Sequence, residues 1–346
     1  MEFRIITDKK RWNDFVNSNE NLDVLQSWEW GELKKIEGWE PYRFMVEGFD
    51  EILIGGMVLV KKYPLLGNLA YIPHGPAFNC HFNNGSKEKI WRIFEQGLIS
   101  WAKTMGVFSI ELEPKLLVGV DSYVKEVLIN SKWKMTGRNR QAMHKLNLDI
   151  SRSEEEIMVG MSKGTRYNIR YALKSGVEFK KYSLDDSNID EVLDRFYSLV
   201  LDMQKRAGGY HIRSKEYFKK LVEIYKGTNR MQIMEVSYEG DVIAMNISQF
   251  TDTWASSFYA GSNRLHSKVK APYLLRWESI KEAKNRGCKI YDFWGVILDS
   301  KQHAGYSKNK MGYGGEQKDS FGIFDYIVNW KGYLWPVLLK IRRLLG

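Results

Sequence analysis

The chain has 346 residues and is 44% hydrophobic, enough to bury two ordinary cores, but no apolar run approaches the roughly 18 residues that a membrane-spanning helix needs. Its 52 basic and 42 acidic residues give a net charge of +10, which favours phosphate-bearing or otherwise anionic partners. The first ten residues lack the apolar core of a signal peptide and the two cysteines fit a reducing compartment, so we expect a cytoplasmic protein.

The first half of the sequence alternates helix and strand patterns. The segment Pro73-His-Gly-Pro76 forces a turn, and the polar stretch 151–156 marks the end of a first lobe. In chain order, the patterns predict helices at 8–17 and 26–37, strands at 42–46, 53–60 and 69–72, a helix at 87–105, a helix near 123–131 and a strand at 142–148.

A strongly basic helix is predicted at 161–174. Its Lys163, Arg166, Arg170 and Lys174 recur at spacings of three and four, so they share one helix face. Such a face is either simply solvated or a contact for RNA or phosphate.

The remaining elements are predicted from periodicity and glycine content. A long helix at 189–206 carries an apolar stripe, and another helix follows Ser214. Three strands and one more helix come next. The Gly- and Lys-rich segment 305–315 is predicted to be a loop, and 324–345 alternates aromatic, leucine and basic residues.

An internal repeat indicates two related lobes. The pattern Ile-x-x-Ala-Lys-x-x-Gly occurs at 99–106 and again, 181 positions later, at 280–287. Because Ile and Ala share one helical face and Gly tolerates the αL conformation, each copy predicts the end of a helix. Each is preceded by a hairpin pattern and followed by an extended run with an acid at the same offset, Glu111 and Asp292. We interpret this as two α/β lobes with a cleft between them; the alternative is chance similarity of two amphipathic helices.

Motifs for common cofactors and metals are absent from the sequence. It contains no Walker loop, no Gly-x-Ser-x-Gly elbow, no His-Glu-x-x-His pair and no Rossmann fingerprint. The six histidines are scattered, and Cys80 and Cys288 fall in different predicted lobes. We therefore predict no metal and no cofactor.

Cationic and tyrosyl groups at turns are the remaining candidates for chemistry. Arg213 and Tyr217 lie four apart at a helix start, where the guanidinium fork and helix N–H groups suit a phosphate; alternatively, Arg213 pairs with a surface carboxylate. Tyr259 ends a strand and is either a core residue or a hydroxyl donor. Lys308 and Lys310 lie in the predicted loop, where a lysine is usually only solvated.

A series of short motifs runs in order from about residue 26 to residue 315. They are Gln26-Ser-Trp-Glu-Trp30-Gly-Glu-Leu-Lys34, Tyr71-Ile-Pro73-His-Gly75-Pro76, Lys163-x-x-Arg166-x-x-Ile169-Arg170-x-Ala172-x-Lys174, Arg206-x-Gly208 with Ile212-Arg213, Tyr259-Ala-Gly261-Ser262, Ala271-Pro272, Tyr291-Asp-Phe-Trp-Gly295 and Lys310-Met-Gly312-Tyr313-Gly314. The ordered set resembles the Fem-type (FemABX) peptidyltransferases, which use aminoacyl-tRNA to build peptidoglycan cross-bridges. No counterpart of the coiled-coil arm of some members is present, so the compact subclass is the better match.

The resemblance implies the fold and its boundaries. It predicts two tandem acetyltransferase-like (GNAT-type) lobes, each a mixed sheet flanked by helices, in an α/β (α+β) protein. The first lobe covers 1–150 and is joined by the C-terminal segment 318–346, which packs on it; the second covers 151–317.

The resemblance also implies roles for individual residues. Lys34 and Arg213 match the pair that holds the diphosphate of a UDP-linked or lipid-linked muramyl-peptide precursor. Tyr217 and Tyr259 match tyrosines of the peptide site, and Trp30 belongs to the same motif as Lys34. Lys310 matches the lysine that stabilises the tetrahedral oxyanion, whose negative charge develops only in the transition state.

Two positions depart from the family pattern, and they bear on substrate choice and activity. Glu113-Pro114 stands where the family has Asp-Pro, and Asn309 stands where it has Phe. Glu113 is predicted to lie in the substrate site and is the nearest candidate for a general base. The preferred alternative is proton transfer within the substrates, including the tRNA ribose hydroxyl.

The sequence thus predicts an aminoacyltransferase that moves an amino acid from aminoacyl-tRNA to the side-chain amine of a peptidoglycan precursor. One alternative is an acyl-CoA-dependent N-acyltransferase, although no pyrophosphate-cradling Arg/Gln-x-x-Gly-x-Gly/Ala loop is found. Another is a non-enzymatic protein that binds RNA or a membrane surface. The aromatic and basic segment 330–343 suits peripheral contact with the inner face of the membrane, or simply packs on the first lobe.

Overall fold

The computed structural model describes residues 1–48, 50–79, 84–115, 123–206, 208, 211–296 and 304–345, so Cys80, His81 and His303 lie outside it. Its strands are β1 (Glu2–Ile5), β2 (Glu40–Gly48), β3 (Glu51–Tyr63), β4 (Gly67–Pro73), β5 (Ala77–Phe78), β6 (Val107–Glu113), β7 (Lys134–Met135), β8 (His144–Asp149), β9 (Glu178–Ser183), β10 (Met231–Tyr238), β11 (Asp241–Phe250), β12 (Trp254–Ser262), β13 (Ile290–Gly295), β14 (Glu316–Asp319) and β15 (Phe324–Ile327). Its α-helices are α1 (Lys9–Ser18), α2 (Trp28–Lys34), α3 (Asn84–Thr104), α4 (Tyr123–Ile129), α5 (Glu154–Gly160), α6 (Lys163–Lys174), α7 (Ile189–Arg206), α8 (Lys215–Tyr225), α9 (Ala271–Asn285), α10 (Ala304–Met311) and α11 (Trp335–Leu345).

The chain divides into two compact units. The first unit comprises Met1–Met143 and Asp319–Gly346, and the second comprises His144–Lys318. The strand predicted at 142–148 is present as β8, but its assignment to the first lobe was wrong. It pairs antiparallel with β13, so it belongs to the sheet of the second unit.

Both units are built on mixed sheets whose strands follow the same order. In the first unit the order is β1-β2-β3-β4-β6-β15-β7, with β5 beside β3, and in the second it is β9-β10-β11-β12-β13-β8-β14. Each sheet contains a parallel pair, β4 with β6 and β12 with β13. A long helix, α3 or α9, joins the two strands of each pair, as a parallel connection requires. The matching order agrees with the lobe duplication inferred from the repeat.

The repeated pattern lies at the same place in both units, the end of the crossover helix. Gly106 follows α3 with φ 61° and Gly287 follows α9 with φ 84°, both in the left-handed region. The N–H of each glycine donates to the carbonyl oxygen of the repeat lysine, Lys103 at 3.2 Å and Lys284 at 2.9 Å. Only glycine takes this conformation without a Cβ penalty, which explains why it ends both helices.

The segment 305–315 was predicted as a loop but contains helix α10, with Lys308 and Lys310 on it. Tyr313, just after the helix, is fully buried and lies 5.6 Å from Phe293 between ring centroids. Its hydroxyl donates to the Tyr273 carbonyl at 3.0 Å. Burial of Tyr313 in the hydrophobic core of the second unit therefore outweighs the local preference of the glycines for a loop.

The end of the chain completes the first unit. Strand β15 pairs with β6, and Trp335, at the start of α11, is buried against Phe108 and Tyr63. Among the helices of the described residues, we find none with both the length and the apolar character needed to cross a bilayer.

Candidate functional site

Helix α10 fixes Lys310 inside the second unit. The side chain is only 3% exposed, and its Nζ donates to the carbonyl oxygen of Gly295 at 2.7 Å. Gly295 is the last residue of β13, so the ammonium group is held at the end of a central strand. We refer to Lys310, Asp292, Trp294 and Gly295 as the Lys310 cluster.

The surroundings of Lys310 disfavour its charged form. Burial, reinforced by the nearby Arg276 cation, lowers the pKa of Lys310 to about 7, while Asp292 opposes this by favouring the ammonium. Arg276 is held in place because its Nη1 donates to Asn309 Oδ1 at 2.9 Å. A lysine whose pKa lies near neutrality can gain or lose its proton under working conditions, as catalytic lysines do.

Strand β13 ends in a strained conformation. Trp294 has φ 61°, a left-handed value that a bulky side chain rarely adopts, at a cost of about 1–3 kcal/mol. Its backbone N–H donates to Asp292 Oδ1 at 2.6 Å, and the pairing with β8 is irregular between Asp292 and Gly295. Such strain is typical of functional sites, and the next residue, Gly295, supplies the carbonyl that accepts from Lys310.

An aromatic series connects the Lys310 cluster to the predicted peptide site. The rings of Trp294 and Phe258 lie 5.3 Å apart, and those of Phe258 and Tyr259 lie 4.7 Å apart. The Tyr259 hydroxyl is 2.9 Å from that of Tyr217, and the Arg213 guanidinium lies 5.0 Å from the Tyr217 ring. Arg213, Tyr217, Tyr259 and Lys310, which the sequence singled out separately, therefore form one continuous region of the second unit.

Helix α8 explains why Arg213 and Tyr217 come together. Ser214 caps the helix, its hydroxyl accepting the Tyr217 N–H at 3.2 Å, so Arg213 immediately precedes the helix N-terminus. Arg213 is half-buried over a buried tyrosine ring. A guanidinium there, next to oriented helix N–H groups, is suited to a phosphate or carboxylate.

Three charged residues of this region were missed by sequence reasoning. Arg276 touches Asn309 as described, and its guanidinium lies 5.7 Å from the Phe293 ring. Lys145 of β8 is buried, with its Nζ 5.2 Å from the Trp294 ring. The sequence did draw attention to Asp292, because it lies at the same offset after its repeat as Glu111, but it predicted no role for this residue. Across the described chain, we find no cluster of three or more His, Cys, Asp or Glu side chains suited to a metal ion.

Lys34 and Trp30 lie in the first unit, where they contact each other. The Lys34 Nζ is 4.2 Å from the Trp30 ring and 3.0 Å from Glu37 Oε2. Both side chains are buried, at 8% and 5% exposure. The matched diphosphate pair thus comes from two units, Lys34 from the first and Arg213 from the second, and their joint role stays a prediction.

Glu113 is a buried carboxylate of the first unit with its acceptor positions largely taken. Its Oε2 accepts the Tyr71 hydroxyl at 2.5 Å, and its Oε1 accepts the backbone N–H groups of Arg140 and Gln141 at 3.1 and 3.0 Å. The side chain is 1% exposed. This arrangement fastens the turn around residue 140 to β6, and the role of Glu113 in the substrate site or as a general base stays a prediction.

The acids of both repeats are buried, but their partners differ. Glu111, at the position equivalent to Asp292, accepts hydrogen bonds from Arg138 at 2.6 Å, Arg140 at 2.8 Å and the Trp335 indole at 2.8 Å. Burial raises the pKa of Glu111, but the two guanidiniums outweigh it and hold that pKa below the ordinary value. In the second unit the equivalent acid, Asp292, instead lies near Lys310 and raises the pKa of that lysine.

The basic helix α6 presents a mixed cationic and aromatic surface. Lys163, Arg170 and Lys174 are exposed, as the spacing predicted. Arg166 donates through Nη1 to the carbonyls of Val159 and Met161 at 2.9 and 2.7 Å, and its contact with RNA or phosphate stays a prediction. Sequence reasoning missed Tyr167 and Tyr171, which are 63% and 40% exposed and stack 5.9 Å apart.

The chain is similar in sequence and in fold to proteins that are already known. The FemAB family model matches residues 7–240 and 233–340. The lipid II:glycine glycyltransferase of Staphylococcus epidermidis is 22% identical over 398 aligned positions, which cover 95% of this chain and 93% of that protein. The crystal structure of FemX has a TM-score of 0.86 at 19% identity and covers 97% of this chain and 99% of its own. A tandem GNAT protein from the clavulanic acid biosynthesis pathway has a TM-score of 0.54 at 8% identity, covering 95% and 98%. These structural matches confirm the predicted fold of two GNAT-like lobes.

Proposed function

The chain belongs to the FemAB family and is an aminoacyltransferase, and we propose that it moves an amino acid from aminoacyl-tRNA to the side-chain amine of a lipid-linked muramyl-peptide precursor. The relative from Staphylococcus epidermidis, named a lipid II:glycine glycyltransferase, supports a lipid-linked rather than a UDP-linked acceptor. The buried ammonium group of Lys310 at the end of β13 is the observation that carries the proposal.

The proposed reaction is an aminolysis of the aminoacyl ester. The acceptor amine attacks the ester carbonyl carbon, a C–N bond forms, and the carbonyl oxygen becomes an oxyanion. Lys310, already donating to the Gly295 carbonyl, supplies a cation for that oxyanion in a site with little water. The C–O bond to the tRNA ribose then breaks, and the proton lost by the amine passes to the departing ribose oxygen.

The region from Arg213 to Tyr259 is assigned to the acceptor. The hydroxyls of Tyr217 and Tyr259 hydrogen-bond to each other at 2.9 Å, which leaves one O–H donor and the oxygen lone pairs for a peptide. Arg213, over the Tyr217 ring, is placed to hold a phosphate of the precursor, because a guanidinium binds such a group through two parallel hydrogen bonds. Lys34 of the first unit is proposed as a phosphate contact from the residue match alone.

The exposed surface of α6 is assigned to the tRNA. Lys163, Arg170 and Lys174 supply charges for phosphates, and the stacked pair Tyr167 and Tyr171 supplies aromatic faces for unpaired bases. This combination distinguishes α6 from an ordinary solvated helix, whose exposed face does not need tyrosines.

Charge reversal on α6 tests the tRNA assignment. The triple variant Lys163→Glu, Arg170→Glu and Lys174→Glu is expected to weaken tRNA binding at least about tenfold and to reduce the slope of log K against log salt by about 2, since three phosphate contacts are lost. Filter binding at several salt concentrations measures both quantities. The matched control is Lys219→Glu, Lys226→Glu and Lys268→Glu, which changes the same charge at exposed sites elsewhere in the second unit. An equal loss in the control would remove α6 from the interface.

The reaction itself is tested by incubating the protein with precursor and tRNA charged with each amino acid in turn. Mass spectrometry is expected to show one aminoacyl residue or more added to the precursor, and no addition with uncharged tRNA. An unmodified precursor with every amino acid would contradict the proposal. Thermal-shift measurements with acyl-CoA thioesters address the alternative N-acyltransferase, because a bound thioester would raise Tm while charged tRNA would not be needed.

A further inference from the structure

One face of the C-terminal helix is apolar and exposed. Leu334, Val337, Leu338 and Ile341 follow the i, i+3, i+4, i+7 spacing, so they share one side of α11 and the turn before it. They are 42%, 55%, 41% and 46% exposed. Side chains at this spacing normally point into a core, and here they point into solvent.

The opposite face of the same helix is firmly packed. Trp335 is buried, with its indole N–H on Glu111, and Leu339 packs against the same small core. The preceding turn is also fastened, because Asn329 donates through Nδ2 to the Val107 carbonyl at 3.1 Å. The exposed apolar face therefore belongs to a helix that is anchored from Asn329 to Leu339.

Neighbouring side chains extend this face. Trp330 and Tyr333, in the turn of 3-10 helix before α11 (Trp330–Leu334), are 69% and 66% exposed. Leu65, at the tip of the β3–β4 hairpin, is 96% exposed and lines a groove of about 390 Å³ together with Leu338. The Lys331 ammonium ties the two segments by donating to the Leu65 carbonyl at 3.1 Å.

We propose that this surface, defined as Leu65, Trp330, Tyr333, Leu334, Val337, Leu338 and Ile341, docks the protein on an anionic lipid bilayer. Exposed aliphatic residues enter the region between headgroups and acyl chains, and tryptophan and tyrosine are enriched at that depth. Both α11 and the hairpin tip lie on the first unit, so the docking surface belongs to the unit that lacks the Lys310 cluster.

The charge around the surface fits an anionic membrane. Residues 326–346 contain Lys331, Lys340 and two arginines but no acidic residue, and the hairpin segment 59–70 contains Lys61 and Lys62 and likewise no acid. Each cation near the surface adds about 1 kcal/mol of attraction to acidic lipids. An aliphatic patch with a cationic border distinguishes a bilayer from RNA, which would need cations and aromatic faces rather than exposed leucine and isoleucine.

Vesicle flotation tests the docking without tRNA or precursor, so its outcome is independent of the reaction proposed above. The full chain is expected to float with phosphatidylglycerol vesicles and much less with phosphatidylcholine vesicles. The double variant Val337→Asp and Ile341→Asp is expected to lower the vesicle partition coefficient at least about tenfold, because two exposed apolar side chains that would enter the bilayer are replaced by charges that acidic lipids repel. Ile129→Asp, an equally exposed position at the end of α4, is the matched control and should float as the wild type does.

A second measurement does not depend on the folding of that variant. Brominated lipids are expected to quench the wild-type tryptophan fluorescence, and Trp330→Phe is expected to remove most of the quenched component. Absence of flotation with phosphatidylglycerol, or equal losses in the Ile129→Asp control, would overturn the proposal. So would a wild-type dimer, seen by analytical ultracentrifugation, that Val337→Asp and Ile341→Asp dissociates, since the face would then belong to a second copy of the chain.

Discussion

Replacing Lys310 by methionine is expected to lower kcat by about 10²–10³-fold, the effect of removing one preorganised oxyanion donor. The KM values for charged tRNA and for the precursor are expected to change by less than about threefold, because the charge on the carbonyl oxygen exists only in the transition state. Initial rates and single-turnover rates with both substrates measure the two effects separately. Methionine preserves the length and packing of the side chain, so the buried position stays filled.

Lys308→Met is the matched control for this prediction. Lys308 lies on the same helix two residues earlier, and its side chain is exposed. The same change there removes the same charge at the surface of α10 and is expected to leave kcat within about twofold, since exposed substitutions of this kind have small effects. A similar loss in both variants would assign the effect to α10 as a whole, and a KM effect as large as the kcat effect would contradict the oxyanion role.

The fold of the Lys310→Met variant is expected to survive, because the substitution removes a charge that burial disfavours. Burial lowers the pKa of Lys310 from 10.5 to about 7, so between these values the unfolded chain binds more protons than the folded chain. The free energy of unfolding therefore rises with pH across that window, and the buried cation opposes folding below about pH 7. Methionine carries no charge to bury, so thermal melts at pH 6 should show a Tm for the variant no lower than that of the wild type.

Local sequence signals predicted most helices and several strands accurately. The apolar stripe at 189–206 has the same bounds as α7, and Ser214, which the sequence placed before a helix, caps α8. The repeat glycines end α3 and α9 with positive φ. These signals succeed because spacing, capping and glycine conformation are properties of a few adjacent residues.

Non-local pairing explains the two errors in the predicted elements. Strand β8 has a clear strand pattern, but no local feature tells whether it pairs with β6 or with β13. Helix α10 lies among glycines, and its conformation is supported by Tyr313, which is buried against residues far away in sequence. In both places the deciding contacts join residues distant in the chain, so the sequence pattern alone could not supply them.

In the candidate site, too, local spacing was predicted from the sequence, whereas contacts between distant residues were not. Arg213 and Tyr217 were paired by spacing, but the 2.9 Å contact of Tyr217 with Tyr259 joins residues 42 positions apart. No sequence motif indicates that Trp294 adopts a positive φ or that Lys145 is buried beside it. Resemblance to a family indicated which residues matter. Only the fold shows that Asp292 raises the pKa of Lys310 while Arg276 lowers it.

The pH dependence of catalysis should reveal which form of Lys310 acts. If the ammonium stabilises the oxyanion, the ratio of wild-type kcat to Lys310→Met kcat is expected to be constant well below pH 7 and to fall about tenfold per pH unit above it, as the pKa of about 7 dictates. Between pH 6 and pH 9 the advantage of the wild type would shrink by about 100-fold, within the range that the substitution itself removes.

Taking the ratio makes this measurement specific to Lys310. The acceptor amine must also lose a proton before attack, and this raises the rate of both proteins with pH in the same way, so the contribution cancels. Initial rates in buffers of constant ionic strength, corrected for spontaneous ester hydrolysis, give the ratio directly. The opposite profile, a ratio that increases up to about pH 7 and then stays constant, would show that neutral Lys310 accepts the proton of the attacking amine. In that event Lys310 is the general base of the reaction, and the oxyanion is left to the other buried cation of the region, Lys145, which borders Trp294 at 5.2 Å.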